Sequence, residues 1–492
     1  MITKNYFKKL AIAAMGLFAM STQANNLQIT GTSVDTSTGK ITFNIKWDNS
    51  WRTNIAPANN DAVWVFVKYQ DCADKLWKHA NLSITSADHT TGGVLKIDAV
   101  TDGKGVFVSR SANGGGNISS TTLTLKMNVA AANYENYNFK VFGVEMVNVP
   151  QLTSYWIGDG AAASAFTKYE ITSNSSISSA AIGTGNSAPA AFPKGWASFY
   201  AMKYEISQEQ YVNFLNTLTY GQQARRSVAQ PDSAAGTFAF YDSYRNGIKI
   251  KVPGSNAAAP AVYGNDYTAG DFDDLNDGQN IAMNWVSYAD IFSYLDWAAL
   301  RPMSEMEFEK ICRGPLQPVA YEYAWGSTEI NGISAGGVLN GGEASEGYNA
   351  VANGRANYGA YSGYVPALYN GPVKVGFSAT NSSGRLSAGA GYFGAMEMSG
   401  NVGEMTVAAK SAGGSTYTAA LGDGLLSTNT ATDGDADQAT WPDYTGLLLR
   451  GGHFDAASYG YSGNNSARLM ISDRADAVSN ARAQNFGGRG VR

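Results

Sequence analysis

From Ile41 the side chains alternate, with Ile41, Phe43, Ile45 and Trp47 apolar and Thr42, Asn44 and Lys46 polar. A period of two places the apolar groups on one face of an extended chain, so this run predicts a half-buried strand. Leu123, Leu125, Met127 and Val129 repeat the pattern, as do Tyr137, Phe139 and Val141. Val63-Trp64-Val65-Phe66-Val67 is apolar on both faces and predicts a central strand. Turn clusters such as Asp102-Gly103 and Asn113-Gly114-Gly115-Gly116 separate these runs. Several short strands in succession make residues 25–150 an expected all-β sandwich.

The pattern then changes. Residues 151–190 are rich in Ser, Gly, Ala and Asn, as in Ser173-Asn174-Ser175-Ser176 and Ile182-Gly183-Thr184-Gly185, and read as a linker that buries little. A second domain over 191–492 begins near Phe192-Pro193. Ser207 followed by Gln210 forms a capping box, and Tyr211, Phe214, Leu215 and Leu218 recur at helical spacing behind it. A second helix is expected from Ser287 to Arg301, with Ile291, Tyr294, Leu295 and Ala298 on one face. Ser304 and Glu307 form another capping box, opening a helix through Phe308 and Ile311. Beyond it the chain is Gly- and Asn-rich with little periodicity, and long ordered loops of that kind often carry function.

Composition narrows the class. A length of 492 residues favours two domains. Charged residues make up only 15%, while 55 glycines and 28 tyrosines fit a loop-rich extracellular protein. A net charge of -5 leaves no basic footprint, so nucleic acid is not an expected partner. Residues 1–24 read as a signal peptide: Lys4, Lys8 and Lys9 precede the apolar stretch Leu10 to Met20, and Thr22-Gln23-Ala24 offers a cleavage site. That stretch is too short to cross a bilayer, so no membrane span is expected. Export to a periplasm, the cell surface or the medium follows. Cys72 and Cys312 are far apart and read as two buried thiols rather than a bridge. His79 and His89 lack a convergent ligand set and read as ordinary polar residues.

The last third carries Met396-Glu397-Met398-Ser399-Gly400-Asn401-Val402-Gly403-Glu404-Met405, then Leu449-Arg450-Gly451-Gly452-His453, and closes on Phe486-Gly487-Gly488-Arg489-Gly490-Val491-Arg492. Upstream lie Met202-Lys203-Tyr204-Glu205-Ile206-Ser207, Trp285-Val286-Ser287-Tyr288, Arg301-Pro302-Met303-Ser304-Glu305-Met306-Glu307-Phe308-Glu309 and Tyr323-Ala324-Trp325-Gly326. In this order the blocks resemble the formylglycine-generating (sulfatase-modifying factor) family over residues 192–492. The resemblance implies an α+β, C-type-lectin-like, loop-rich fold for the C-terminal domain.

Two functions travel with the resemblance. It implies structural calcium held by the carbonyls near Glu397, Gly400 and Val402 and by the Glu404 carboxylate, a hard-oxygen set suited to that ion. The competing reading is a plain turn at Gly400-Asn401 with Glu404 paired to an arginine. Asn357 and Tyr358 resemble part of a second calcium site, whose downstream aspartate has no counterpart near Val365 to Ala367. The family's oxidase centre holds copper(I) through two cysteines, the soft ligands that ion needs. Here those positions fall on Ala456 and Gly460, and the family's serine falls on His453, so copper is not expected. An iron centre of the sulfoxide-synthase type needs a histidine-carboxylate triad from an extra helical domain, and three histidines in all with a β-type N-terminal domain argue against it. Asp433, Asp435 and Asp437 lack the glycine and distal glutamate of an EF-hand and read as a solvated loop.

What remains is a candidate binding face of His453, Asp455, Tyr459, Tyr461, Asn464, Asn465 and Arg468, where the enzymes have their active-site floor. The resulting expectation is an exported, non-catalytic binding protein for a surface or extracellular protein or glycan. One alternative is a diverged oxidoreductase with another metal near His453 and Asp455. The other is a ligand receptor diversified over 453–484.

Overall fold

A computed structural model describes residues 26–492 except 57, 130–133, 184, 186, 256–258, 334–336, 349–351, 359–369, 381–382 and 456–465. The first half comprises β1 (Gln28–Asp35), β2 (Lys40–Arg52), β3 (Asp61–Asp71), β4 (Trp77–Ala80), β5 (Thr90–Thr91), β6 (Leu95–Ala99), β7 (Val106–Arg110), β8 (Gly114–Lys126) and β9 (Tyr137–Val149). One antiparallel sheet has the order β1-β2-β8-β5. Against it lies a second sheet in which β9, β3, β7 and β6 are successive neighbours and β4 pairs with β3. Between the sheets Ile41, Phe43, Ile45 and Trp47 meet Val63, Val65, Val67, Val106, Val108, Leu123 and Leu125. Each side chain of this size contributes about 1.5–3 kcal/mol when removed from water. The alternation read at Ile41–Trp47 therefore sorts residues as expected.

The other face of β3 is covered as well. Trp64 donates its indole N–H to the Ala298 carbonyl at 2.9 Å, and the Phe66 ring meets Trp297 edge-on at 5.1 Å. This double burial is the physical reason for the unbroken Val63–Val67 run. Next come β10 (Tyr155–Ile157), β11 (Tyr169–Ile171), the short helix α1 (Ser179–Ile182) and β12 (Phe199–Met202). β12 pairs with β9 from Phe199↔Val149 to Met202↔Met146. The strand Gly490–Val491 then joins β12 to β15 (Arg301–Pro302). One eight-stranded sheet thus runs through both expected domains.

Residues 151–190 differ from a linker. Tyr155, Ile157, Phe166, Ile171, Ile177 and Ile182 are all buried in the large C-terminal core. Sparse large side chains do this work, and the small residues around them hid the signal.

The capping boxes at Ser207 and Ser304 fall where the sequence places them, and Ser287 adds one that it did not name. Ser207 caps α2 (Gln208–Leu215), Ser287 caps α4 (Tyr288–Trp297) and Ser304 caps α5 (Glu305–Arg313). A further box at Thr219 opens α3 (Tyr220–Arg226), followed by the hairpin β13 (Ile248–Val252) and β14 (Val262–Asn265). The aspartate run is more than a solvated loop. Asp433 accepts from Gln222, and Asp435 pairs with both Arg225 and Arg226, pinning the loop to α3. Both cysteines are free; Cys312 is buried and Cys72 half-buried. His79 and His89 bond to the carbonyls of Lys104 and Ser83 and serve the sandwich. Among the described residues no helix is long and apolar enough to cross a membrane.

Candidate functional site

The site rests on a buried charge lattice built from α5. Glu307 takes two hydrogen bonds from Arg301, at 2.9 and 2.6 Å, while also closing the Ser304 capping box. Glu309 accepts from Arg313 at 2.7 Å, from the Gly158 N–H at 2.7 Å and from Arg474. Burial raises the Glu309 pKa, but Arg474, Arg313 and Arg450 outweigh it and hold the carboxyl down at about 2. Glu305 bonds Arg474 and the Ala409 N–H, and Arg450 lies 3.6 Å from both acids. Buried charges paired in this way fix geometry, because removing one member leaves a bare buried charge.

Above this lattice runs the segment Glu397–Glu404. Glu397 and Asn401 adopt left-handed backbone at φ 54° and 69°, and Gly400 has φ 99°. A Cβ on Gly400 would meet the Asn357 carbonyl oxygen at 2.8 Å, so only glycine fits. The Asn401 side chain accepts from Asn357 at 3.1 Å and from the Val373 N–H at 2.8 Å, and it donates to Glu205. Glu205 also takes the Val402 N–H at 3.0 Å. Glu404 Oε1 accepts from Arg489 Nε at 2.8 Å and Nη2 at 2.7 Å, whereas Oε2 is buried with no hydrogen-bond partner. Arg489 spends its other N–H groups on the carbonyls of Met202, Lys203 and Met396.

Two buried carboxyls, Glu205 and Glu404, and the half-buried Glu397 therefore surround Arg489. Burial pushes all three pKa values up, Glu397 to about 7, and for Glu205 the charge of Glu397 adds to burial. Tyr358 packs half-buried against the core that contains Ala356 and Met398.

The segment docks directly on the Gly451-Gly452-His453 turn. The Gly400 N–H reaches the Gly451 carbonyl at 2.8 Å, and the Phe454 N–H reaches the Asn401 carbonyl at 2.8 Å. The Asn485 amide nitrogen lies 2.8 Å from His453 Nε2. The amide donates there, which leaves Nε2 as acceptor and the proton on Nδ1, a nitrogen without a partner. Burial lowers the His453 pKa to about 4, so the ring is neutral at pH 7. Gln484 donates to Asp455 at 3.1 Å. Arg468 is held by Asp473 at 2.9 Å and Asp476 at 3.1 Å, which turns it into a structural clamp. Tyr459, Tyr461, Asn464 and Asn465, like Ala456 and Gly460, lie outside the described residues.

Sequence reasoning missed an aromatic wall beside this turn. Tyr244 packs 5.8 Å from Phe454 and 5.9 Å from Trp285, and Tyr241 lies against Trp285 at 4.2 Å with the rings tilted by 45°. Tyr241 is 42% exposed. The only available signal was Trp285 at the head of its motif; the tyrosines sit in no motif. Cys312 lies buried in α5, where burial first and then the charge of Glu404 raise its pKa.

Among the described residues, Asp296, Asp423 and Asp437 form the one set of three acids close enough to share an ion. The Asp296 carboxylate there accepts the N–H groups of Asp423 and Asp437 and so staples two loops to α4.

No curated protein matches the chain. The family model for the sulfatase-modifying factor enzyme 1-like domain matches residues 172–492, starting earlier than the motif blocks and taking in β12 together with the segment before it. By this match the chain belongs to the sulfatase-modifying factor enzyme 1-like family.

Proposed function

We propose that the protein is an exported, non-catalytic binding protein whose C-type-lectin-like domain presents the His453–Asp455 turn and its aromatic wall to a surface or extracellular glycan or protein. The carrying observation is the exposed Tyr241 ring against the half-buried Trp285, beside a neutral His453 held by Asn485. Aromatic faces on a fixed scaffold give contact area at low entropic cost. The chain has no cysteine after Cys312, so the soft ligands of a copper centre are not available on this turn.

Structural calcium is part of the same reading. The donors are the carbonyls of Glu397, Gly400 and Val402 and the unpartnered Oε2 of Glu404, while Arg489 keeps Oε1. An orphaned buried carboxylate oxygen among excess negative charge suits a hard cation. Asn357 serves the same turn through Asn401, with Tyr358 packed beside it. The ion would supply order to the turn.

The test is capture of surface and secreted glycans and proteins by the full chain, with and without a calcium chelator, against Trp285→Ala and Asp455→Ala. Binding lost in both variants and on chelation is the expected result. Equal capture by the variants, or oxygen consumption with a cysteine peptide and copper(I), would sink the reading.

A further inference from the structure

β9 is long, and its neighbour β12 is short. β3 pairs with β9 without a break from Asp61↔Val147 to Asp71↔Tyr137, whereas β12 covers only Met146 to Val149. Backbone direction along β9 follows from two bonds. The Lys203 N–H reaches the Glu145 carbonyl at 2.9 Å on the β12 side, and the Asn148 N–H reaches the Asn60 carbonyl at 2.8 Å on the β3 side. In an antiparallel ladder these directions alternate residue by residue. Stepping back by two from Glu145, the N–H and C=O groups of Gly143, Val141 and Phe139 point away from β3. Among the described residues no strand meets them there.

A cavity of about 650 Å³ lies along this edge. Seven consecutive residues, Phe139 through Glu145, line it, which is the signature of a slot running beside a strand. Its far walls come from β1 and α2. Two lining side chains carry buried polar atoms without a hydrogen-bond partner: Glu145 Oε1 and Trp297 Nε1. Each of these residues is at least 95% buried.

The charge of the slot is one-sided. Glu145, Glu205, Glu209 and Asp273 line it against Lys140 alone. Glu205 is spent on Asn401 and Val402, and Asp273 on Lys251 at 2.7 Å. Glu145 holds Lys203 through Oε2 at 3.2 Å, so only its Oε1 and the exposed Glu209 remain for an incoming cation.

We propose that this slot docks an extended segment of a partner protein with a central lysine or arginine, added as a strand on the free edge of β9 in line with β12. The backbone ladder supplies affinity, and the acidic groups left on the lining, Glu209 and Glu145 Oε1, favour the basic side chain, the division of labour usual in strand addition. An extended pentapeptide spans about 17 Å, enough to cover Phe139 to Gly143. This site is separate from the His453 turn.

The experiment uses the full chain and the fluorescein-labelled peptide Thr-Val-Lys-Val-Thr, acetylated and amidated, read by fluorescence anisotropy. Saturable binding is expected, weaker by about tenfold, or 1.4 kcal/mol, for the Glu-centred peptide and for Glu209→Gln. Val141→Pro removes one outward N–H and spares the β3 ladder, so it should abolish binding while the thermal midpoint holds. Should that variant unfold, a peptide N-methylated on its edge-facing amides carries the same test. Hydrogen exchange adds an independent readout. The amides of Phe139, Val141 and Gly143 should exchange freely in the chain alone and become protected by the peptide. The proposal is overturned by absent binding, by equal binding of the Glu-centred peptide, or by amides already protected without peptide. The last result would mean that the chain's own residues or a second copy fill the slot.

Discussion

The sandwich core and the motif scaffold solve the same problem with opposite materials. Between the first two sheets nearly every contact is aliphatic or aromatic, from Ile41 and Phe43 across to Val63 and Val108. Around α5 the interior is held by Arg301, Arg313, Arg450 and Arg474 against Glu305, Glu307, Glu309 and Glu322, almost all fully buried. A greasy core accepts any shape of about the right volume, whereas a paired lattice accepts only its own members. The lattice is placed where loops must be held in one geometry, directly under Glu404 and the His453 turn.

That contrast can be broken by measurement. The largest effect is expected from Glu309→Ala, which strips Arg313 and Arg474 of a shared partner and should cost about 3–5 kcal/mol in urea unfolding. If Glu309→Ala costs less than 1 kcal/mol, roughly what a tolerated core swap costs, the lattice is decoration. In the sandwich, Ile45→Val should cost about 0.5–1.5 kcal/mol, the usual loss for one buried methyl group.

The two regions should also differ with pH. Glu397 has its pKa raised by burial from 4.5 to about 7. The folded chain then holds a proton that the unfolded chain releases, so this group's stabilisation is complete below 4.5 and is lost as pH rises to 7. The slope is at most about 1.4 kcal/mol per pH unit per group, and Glu397→Gln should flatten it in thermal melts. His453 acts the other way: its depressed pKa removes stability as pH falls from 6.5 towards 4. Calcium, which needs ionised carboxylates, should raise the melting midpoint more at pH 8 than at pH 6. The smallest effect is Ser304→Ala, a lost cap worth about 1 kcal/mol.

Much of this was legible in the chain because local physics wrote it. Alternation marked β2, the capping boxes at Ser207 and Ser304 announced two helices, and apolar spacing announced the one that begins after Ser287. The shared sheet was not legible. β12 has four residues, too few to show a period, and its partners β9 and Gly490–Val491 are distant in sequence. The burial of 151–190 was masked by averaging Tyr155, Phe166 and Ile177 with the small residues around them. At the site, an arginine partner for Glu404 was one of the readings, but no pattern pointed to Arg489 in particular, to the docking of Gly400 and Asn401 on Gly451, or to Tyr241 as an exposed wall. Such pairings join residues far apart in the chain and carry no local period.

The central claim is that this turn is ordered by a hard cation and charge pairs and serves recognition instead of thiol chemistry. Its most direct test is isothermal titration of the metal-free full chain, first with calcium and then with copper(I) under reducing conditions. Saturable calcium binding that disappears in Glu404→Gln, with no saturable copper binding, is the predicted result. Tight copper(I) binding together with no calcium response would contradict the account.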